Sequence, residues 1–377
     1  TVPFGGAKVI DAQATDPARI VAADLDGDGD LDVIVSDYLN RVGWYRNDGK
    51  GSFSTEDNIA SQAKGGRRNP RQIAVGDMNG DGFVDVAVVF NGGFFSGSVT
   101  WFRSTGGTGE FATGIDIDTT LEAPGGITLA DVDGDDDLDV VATSPTEDGV
   151  ILYENTDGEG TFGAGTLVTT SLDAAGMTSA ADLDGDGDID LVGSSFNGGL
   201  EWFENFSGKG DFRQGPDLCV SLLHRVSSHE RYVATGDLDG DGDTDIIASY
   251  FDSWYLYYGS IEGGRVTWHE NDGNGTFAVG YDIGLLEGIN SAVAADIDND
   301  GDLDIVACTG GGRIVYFENT DGKGNFAAAI DVAEDGGVQE VLAVDLDGDG
   351  DLDLLTARGS YGSKGGSVQW YENLLLT

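Results

Sequence analysis

Residues 23–36 read ADLDGDGDLDVIVS, which places carboxylates at Asp24, Asp26, Asp28 and Asp32, glycine at Gly29 and a further acid at Asp30. Counted from Asp24, side chains at positions 1, 3, 5 and 9 can converge on one cation. The backbone carbonyl at position 7 adds another oxygen, and glycine at position 6 permits the sharp turn. Only oxygen donors are offered, so the loop selects a hard cation, and a flexible all-oxygen loop suits calcium better than magnesium. No glutamate follows at position 12 and no helical period flanks the loop. The run Val33-Ile34-Val35 reads instead as a buried strand, so the ion belongs in a strand-to-strand turn.

Asp-Gly strings are also ordinary turn chemistry. Six more copies in register outweigh that reading. They are Asp77, Asn79, Asp81, Phe83 and Asp85; Asp131, Asp133, Asp135, Asp137 and Asp139; Asp182, Asp184, Asp186, Asp188 and Asp190; Asp237, Asp239, Asp241, Asp243 and Asp245; Asp296, Asp298, Asp300, Asp302 and Asp304; and Asp345, Asp347, Asp349, Asp351 and Asp353. In each set the fourth residue acts through its carbonyl, so Phe83 is tolerated there, while Asn79 leaves the second loop one charge short. The third loop carries Asp136 where glycine is expected, and aspartate adopts the left-handed conformation less readily, so this loop is expected to be distorted or weak.

Successive first aspartates are 53, 54, 51, 55, 59 and 49 residues apart. A period of this size with several strands per unit indicates an all-β, seven-bladed β-propeller of four-stranded blades, occupying residues 1–377 as one domain. In the first repeat strand A is expected at Ile20–Ala23, B at Leu31–Ser36, C at Val42–Asn47, and D from near Phe53. Small residues close strand A (Ala23, Gly76, Ala130, Ala181, Gly236, Ala295), with Val344 the exception, as expected beside a crowded axis. The aromatics of strand C, as in WYRNDGKGSF and WHENDGNGTF, are expected to wedge between blades. The last repeat stops after strand C, and residues 1–12 supply the missing strand, which closes the ring.

The phrases FGGA (residues 4–7) and FGAG (162–165), a strand running into an aspartate loop, and GDLDGDGDTD (236–245) resemble the FG-GAP/VCBS repeats of integrin α-subunit propellers and of many secreted microbial and algal proteins. The resemblance spans essentially the whole chain. It implies calcium loops between strands A and B on one face, with up to seven structural ions. It specifies function poorly, because the family includes adhesion receptors, lectins and parts of polysaccharide-degrading enzymes. No stretch resembles an inserted metal-dependent adhesion domain or integrin leg domains.

The formal net charge is −49, with 19 basic against 68 acidic residues. Such a chain is poorly suited to nucleic acid or anionic membranes, which basic patches recognise, and no run of 18 apolar residues exists to span a bilayer. Cys219 and Cys308 are expected to be unpaired thiols. Sequons at Asn205 and Asn274, the start at Thr1, and calcium affinities suited to calcium-rich surroundings point to a secreted or cell-surface location.

The repeats disagree in the B-to-C and D-to-A connections, where function is usually placed. KGGRRNPR (64–71) is a basic cluster with Arg67, Arg68 and Arg71; LLHRVSSHERY (222–232) holds His224, His229 and Arg231; FDSWYLYYGSIEGGR follows with Trp254, Tyr255, Tyr257 and Tyr258. Arg71 and Arg231 each lie six residues before their loop's first aspartate, and Arg19 five, so all three are expected near the axial mouth. Arginine offers bidentate donors to carboxylate or sulfate, and aromatics stack on sugar rings. A binding or adhesion module for glycan or a protein partner is therefore the leading reading. The same residues could equally neutralise neighbouring carboxylates. A polysaccharide lyase or hydrolase, using His224 or His229 as base, and a structural subunit of a surface assembly are the alternatives. No nucleophile-elbow, phosphate-loop or zinc-protease motif is present.

Overall fold

The computed structural model describes residues 4–38, 41–55, 57–61, 69–93, 96–147, 149–170, 172, 174–195, 199–215, 218, 228–252, 264–359 and 365–375, with the side chains of 61, 228–231 and 250–252 outside the description. Each repeat forms one four-stranded antiparallel sheet. In blade 1, strands A to D are Pro17–Ala23, Asp32–Asp37, Arg41–Tyr45 and Asp57–Ser61. The A strands of blades 2 to 7 are Asn69–Gly76, Ile127–Ala130, Ala175–Ala181, Ser228–Gly236, Ile289–Ala295 and Val338–Val344. Each A strand touches those of both neighbours, including blade 7 against blade 1, so the ring closes. No helix long and apolar enough to cross a membrane occurs among the described residues.

Closure is as the chain ends imply. The N-terminal strand Lys8–Asp11 pairs with Ser367–Tyr371 as the outer strand of blade 7. Phe4 bridges Asn373, as Phe162 bridges Asn155 in blade 3. Gly5 N donates to Glu372 O at 2.7 Å, as Gly163 N does to Glu154 O.

The core is divided among the blade interfaces rather than gathered at a centre. At the first interface Ala23, Ile34 and Trp44 of blade 1 pack on Ile73, Val86, Val88 and Phe102 of blade 2. Covered on both faces, B strands are buried along their length, while D strands at the rim begin exposed and end half-buried. Trp44, Trp101, Trp202, Trp268 and Trp370 each lie where a Cβ would stand on a glycine of the next blade's C-to-D hairpin: Gly109, Gly160, Gly275, Gly324 and Gly51. The strand-C aromatics are thus interblade wedges, and the hairpin glycines exist to admit them.

Two sequence expectations shift. Strand D of blade 1 begins at Asp57 because Phe53 makes only an isolated bridge to Asn47. Small residues closing strand A answer to the next blade rather than the axis: a Cβ on Gly76 would meet Leu138, and on Gly236 Leu303, the eighth residues of the following loops.

Candidate metal loops and the opposite face

In each loop the position-1 aspartate folds the turn around itself. Asp24 Oδ1 accepts Gly27 N at 2.7 Å and Oδ2 accepts Gly29 N at 3.0 Å. The same pair recurs at Asp182, Asp237 and Asp345. The third loop keeps this shape: Asp136 sits at φ 72° and its N–H reaches Asp131 Oδ2 at 3.0 Å, matching Gly29 at φ 96°. The backbone there is not distorted by the substitution, since aspartate is among the few residues that visit this region singly.

The position-9 aspartate is buried in all seven loops. Asp32 Oδ2 accepts Leu25 N at 3.2 Å and Oδ1 accepts Asn47 N at 2.8 Å, which ties the loop to strand C. Burial pushes its carboxyl, and those of Asp85, Asp139, Asp190, Asp245 and Asp304, up to about 6, against backbone donors that lower them. Asp353 rises to about 7 from the same cause. Burial also raises Asp26, Asp133, Asp184, Asp239, Asp298 and Asp347 at position 3. Among these, Oδ1 of Asp26, Asp133, Asp298 and Asp347 is buried without a partner.

One oxygen from each of Asp24, Asp26 and Asp32 lies within 4.8 Å of the others, and the same holds for the triads at Asp131, Asp182 and Asp237 and for Asp296, Asp298 and Asp300. Carboxylates this close, one of them buried in each of the first four triads, repel unless protonated or bridged by a cation. The orphaned oxygens and the all-oxygen donor set fit a hard divalent ion. When bound, the ion would neutralise the loop and hold the A-to-B turn; positions 1, 3, 5 and 9 are its side-chain candidates.

Sequence reasoning missed what fastens the loops to the ring. After strand C comes an asparagine whose Nδ2 donates to the position-2 carbonyl of the preceding blade's loop: Asn47 to Leu346 at 2.7 Å, Asn155 to Met78 at 3.0 Å, Asn205 to Val132 at 2.7 Å, Asn271 to Leu183 at 2.8 Å, Asn319 to Leu238 at 2.8 Å and Asn373 to Ile297 at 2.9 Å. Blade 2 has Ser104 at this place. The repeated Asn two residues beyond the aromatic pair was the available signal. It also corrects the sequon at Asn205, whose amide is 1% exposed and engaged on both sides, out of reach of a glycosylating enzyme in the folded chain; Asn274 is exposed.

At the opposite end, A strands carry a bulge. The extra residue is Ala18 in blade 1, Arg71 in blade 2, Arg231 in blade 5, Asn290 in blade 6 and Gln339 in blade 7. Bulges re-aim a side chain away from the pleat. Arg71 is exposed, with its guanidinium 6.0 Å from the Tyr38 ring centroid. Arg19 stands one place on and turns to the buried Glu340 of blade 7, Nη1 to Oε1 4.0 Å, while Glu340 Oε2 accepts Ile20 N at 2.6 Å. Arg19 therefore serves a neighbouring carboxylate. Burial raises the Glu340 carboxyl despite Arg19. Cys308 is buried and free. Arg67, Arg68, His224, Trp254, Tyr255, Tyr257, Tyr258 and Cys219 lie outside the described residues, as do the side chains of His229 and Arg231.

The sequence model of the FG-GAP-like repeat matches at residues 24–88, 77–142, 131–193, 182–248, 254–307 and 300–356. No curated protein matches the chain. Among solved structures, BBS1N in complex with ARL6DN, soaked with lead, superimposes with a TM-score of 0.60 at 9% identity, covering 99% of this chain and 98% of that one. The mercury-soaked crystal of the same complex gives 0.58 at 8% identity, covering 100% and 99%. The biofilm matrix protein Bap1 of V. cholerae gives 0.46 at 15% identity, covering 95% of this chain and 77% of that one. At these identities the likeness concerns the fold.

Proposed function

The chain belongs to the FG-GAP-like repeat family, and on that premise we propose that it is a calcium-stabilised extracellular binding module whose ligand face is the end opposite the aspartate loops. The carrying observation is the contrast between the ends. The loops repeat one arrangement in every blade, as a scaffold does, whereas the other end sets arginine at the bulged position of just two A strands, Arg71 and Arg231. On a protein of charge −49, the exposed Arg71 and a second arginine at the same backbone position favour an anionic ligand, either an acidic polysaccharide or an acidic patch on a protein. BBS1N, solved with ARL6DN, is an instance of a similar propeller engaging a protein.

The test is binding of the full chain to immobilised sulfated and uronate-rich polysaccharides in millimolar calcium. Arg71→Ala and Arg231→Ala should each weaken retention by about tenfold, the scale of one lost charge-assisted bond. A wild-type chain that binds none of them removes the glycan form of the proposal. Calcium itself is tested by melting in calcium and after its removal, where an unchanged midpoint would sink the metal reading.

A further inference from the structure

The residue that follows the strand-C aromatics, or Leu152-Tyr153 in blade 3, belongs to the surroundings of the loop of its own blade, and its charge differs between blades. It is Arg46 in blade 1 and Arg103 in blade 2, but Glu154, Glu204, Glu270, Glu318 and Glu372 in blades 3 to 7. Arg46 Nε donates to Asp26 Oδ2 at 2.9 Å. The Asp26 side chain is only 6% exposed, and its other oxygen, Oδ1, has no partner. One oxygen of that carboxylate thus belongs to the guanidinium and the other is left for an ion. Arg103 Nη2 reaches Asp81 Oδ2 at 3.2 Å. In blades 3, 5 and 6 the glutamate instead adds a like charge beside the position-3 carboxylate of its loop, Glu154 by Asp133, Glu270 by Asp239 and Glu318 by Asp298, whereas in blades 4 and 7 it is itself paired with a cation, Glu204 with Arg213 and Glu372 with Lys8 at 2.9 Å.

The second loop is satisfied further from within. Asn79 Nδ2 donates to Asp85 Oδ2 at 3.3 Å, a bond that a carboxylate at this position cannot make, while its Oδ1 accepts Asp81 N as Asp184 and Asp239 accept the position-5 N–H of their own loops. Where the other loops set a carboxylate at position 3, this one has an amide that already holds the buried position-9 carboxylate.

We propose that Arg46 and Arg103 are built-in counter-ions, which make loops 1 and 2 a low-affinity pair that keeps its shape without metal, whereas Glu154, Glu270 and Glu318 make loops 3, 5 and 6 the high-affinity set, with loops 4 and 7, whose glutamates are cation-paired, between them. The inference rests on the calcium reading above. A guanidinium beside the loop relieves carboxylate repulsion in the metal-free state and opposes an incoming divalent cation; a glutamate at the same place does the reverse.

Calcium titration of the full metal-free chain by calorimetry at low ionic strength, with equilibrium dialysis to count bound ions, tests this. The expected result is three tight sites, two intermediate ones and two weak ones. Arg46→Glu should leave one weak site, with the converted site tighter by about tenfold or more, and Arg46→Lys should leave two. Glu318→Arg should give two tight sites and three weak ones, which keeps the test independent of how well the Arg46 variants fold. Seven equivalent sites, or counts unmoved by Arg46→Glu and Glu318→Arg, would overturn the proposal. A wild type that binds no calcium defeats the metal reading and the inference with it, a result distinct from seven equivalent sites.

Discussion

At one end of the propeller seven loops repeat a single arrangement; at the other the connections differ from blade to blade. The lower end is uniform because its loops are held by their neighbours: position-9 carboxylates bind strand C of their own blade, and, in every blade but the second, an asparagine after strand C reaches the loop of the blade before. A change there would propagate around the ring. Among the described residues no such repeated belt ties the upper end, and the A-strand bulges there present Ala18, Arg71, Arg231, Asn290 and Gln339 in blades 1, 2, 5, 6 and 7. Repetition marks what holds the fold, and its absence marks where recognition has room to vary.

Metal removal should break the lower end hardest. Ions at tenfold excess over their dissociation constants contribute about 1.4 kcal/mol per site, so stripping several should lower the melting midpoint by on the order of 10–20 °C. Thermal scans with and without calcium check this. Next comes Trp268→Ala, which empties the contact with Gly324 and Phe326 of blade 6 and should cost about 3–5 kcal/mol in denaturant unfolding. Asn319→Ala leaves the carbonyls of Leu238 and Leu303 without their donor and should cost about 2–3 kcal/mol. Ser104→Asn would install the staple blade 2 lacks and should gain about 1 kcal/mol; a loss there would show that blade 2 is closed by other means.

The metal-free chain should respond to pH with a defined sign. Its folded state keeps protons on Asp32 and its counterparts up to about pH 6, and on Asp353 up to about pH 7, where ordinary aspartates have released theirs near 3.8. Raised acid pKa values mean that the folded state binds more protons across this window, so stability falls as pH rises through it. Dialysed, metal-free protein should therefore melt higher at pH 5 than at pH 7.5. With calcium the ordering should reverse, because protons compete with the ion.

The aspartate loops were legible because a hard cation demands particular residue types at fixed spacing, and the strand-C tryptophans because apolar bulk has few other uses between charged turns. Strand A was harder. The bulge at Ala18 interrupts its alternation, so the strand reads from Ile20 although it begins at Pro17. Glu340 was invisible, since glutamate is ordinarily a surface residue and the backbone N–H of Ile20 that accommodates it comes from another blade. Asn205 read as a sequon because local sequence cannot reveal that its amide is pledged to Val132, 73 residues away.

The contrast between the two ends is tested most directly by measuring melting midpoint and acidic-polysaccharide affinity together for Asn319→Ala and Arg71→Ala, at a temperature where both are folded. The account predicts that Asn319→Ala lowers the midpoint and leaves affinity unchanged. Arg71→Ala should weaken affinity about tenfold and move stability by less than about 0.5 kcal/mol. Affinity lost in Asn319→Ala and kept in Arg71→Ala would contradict it.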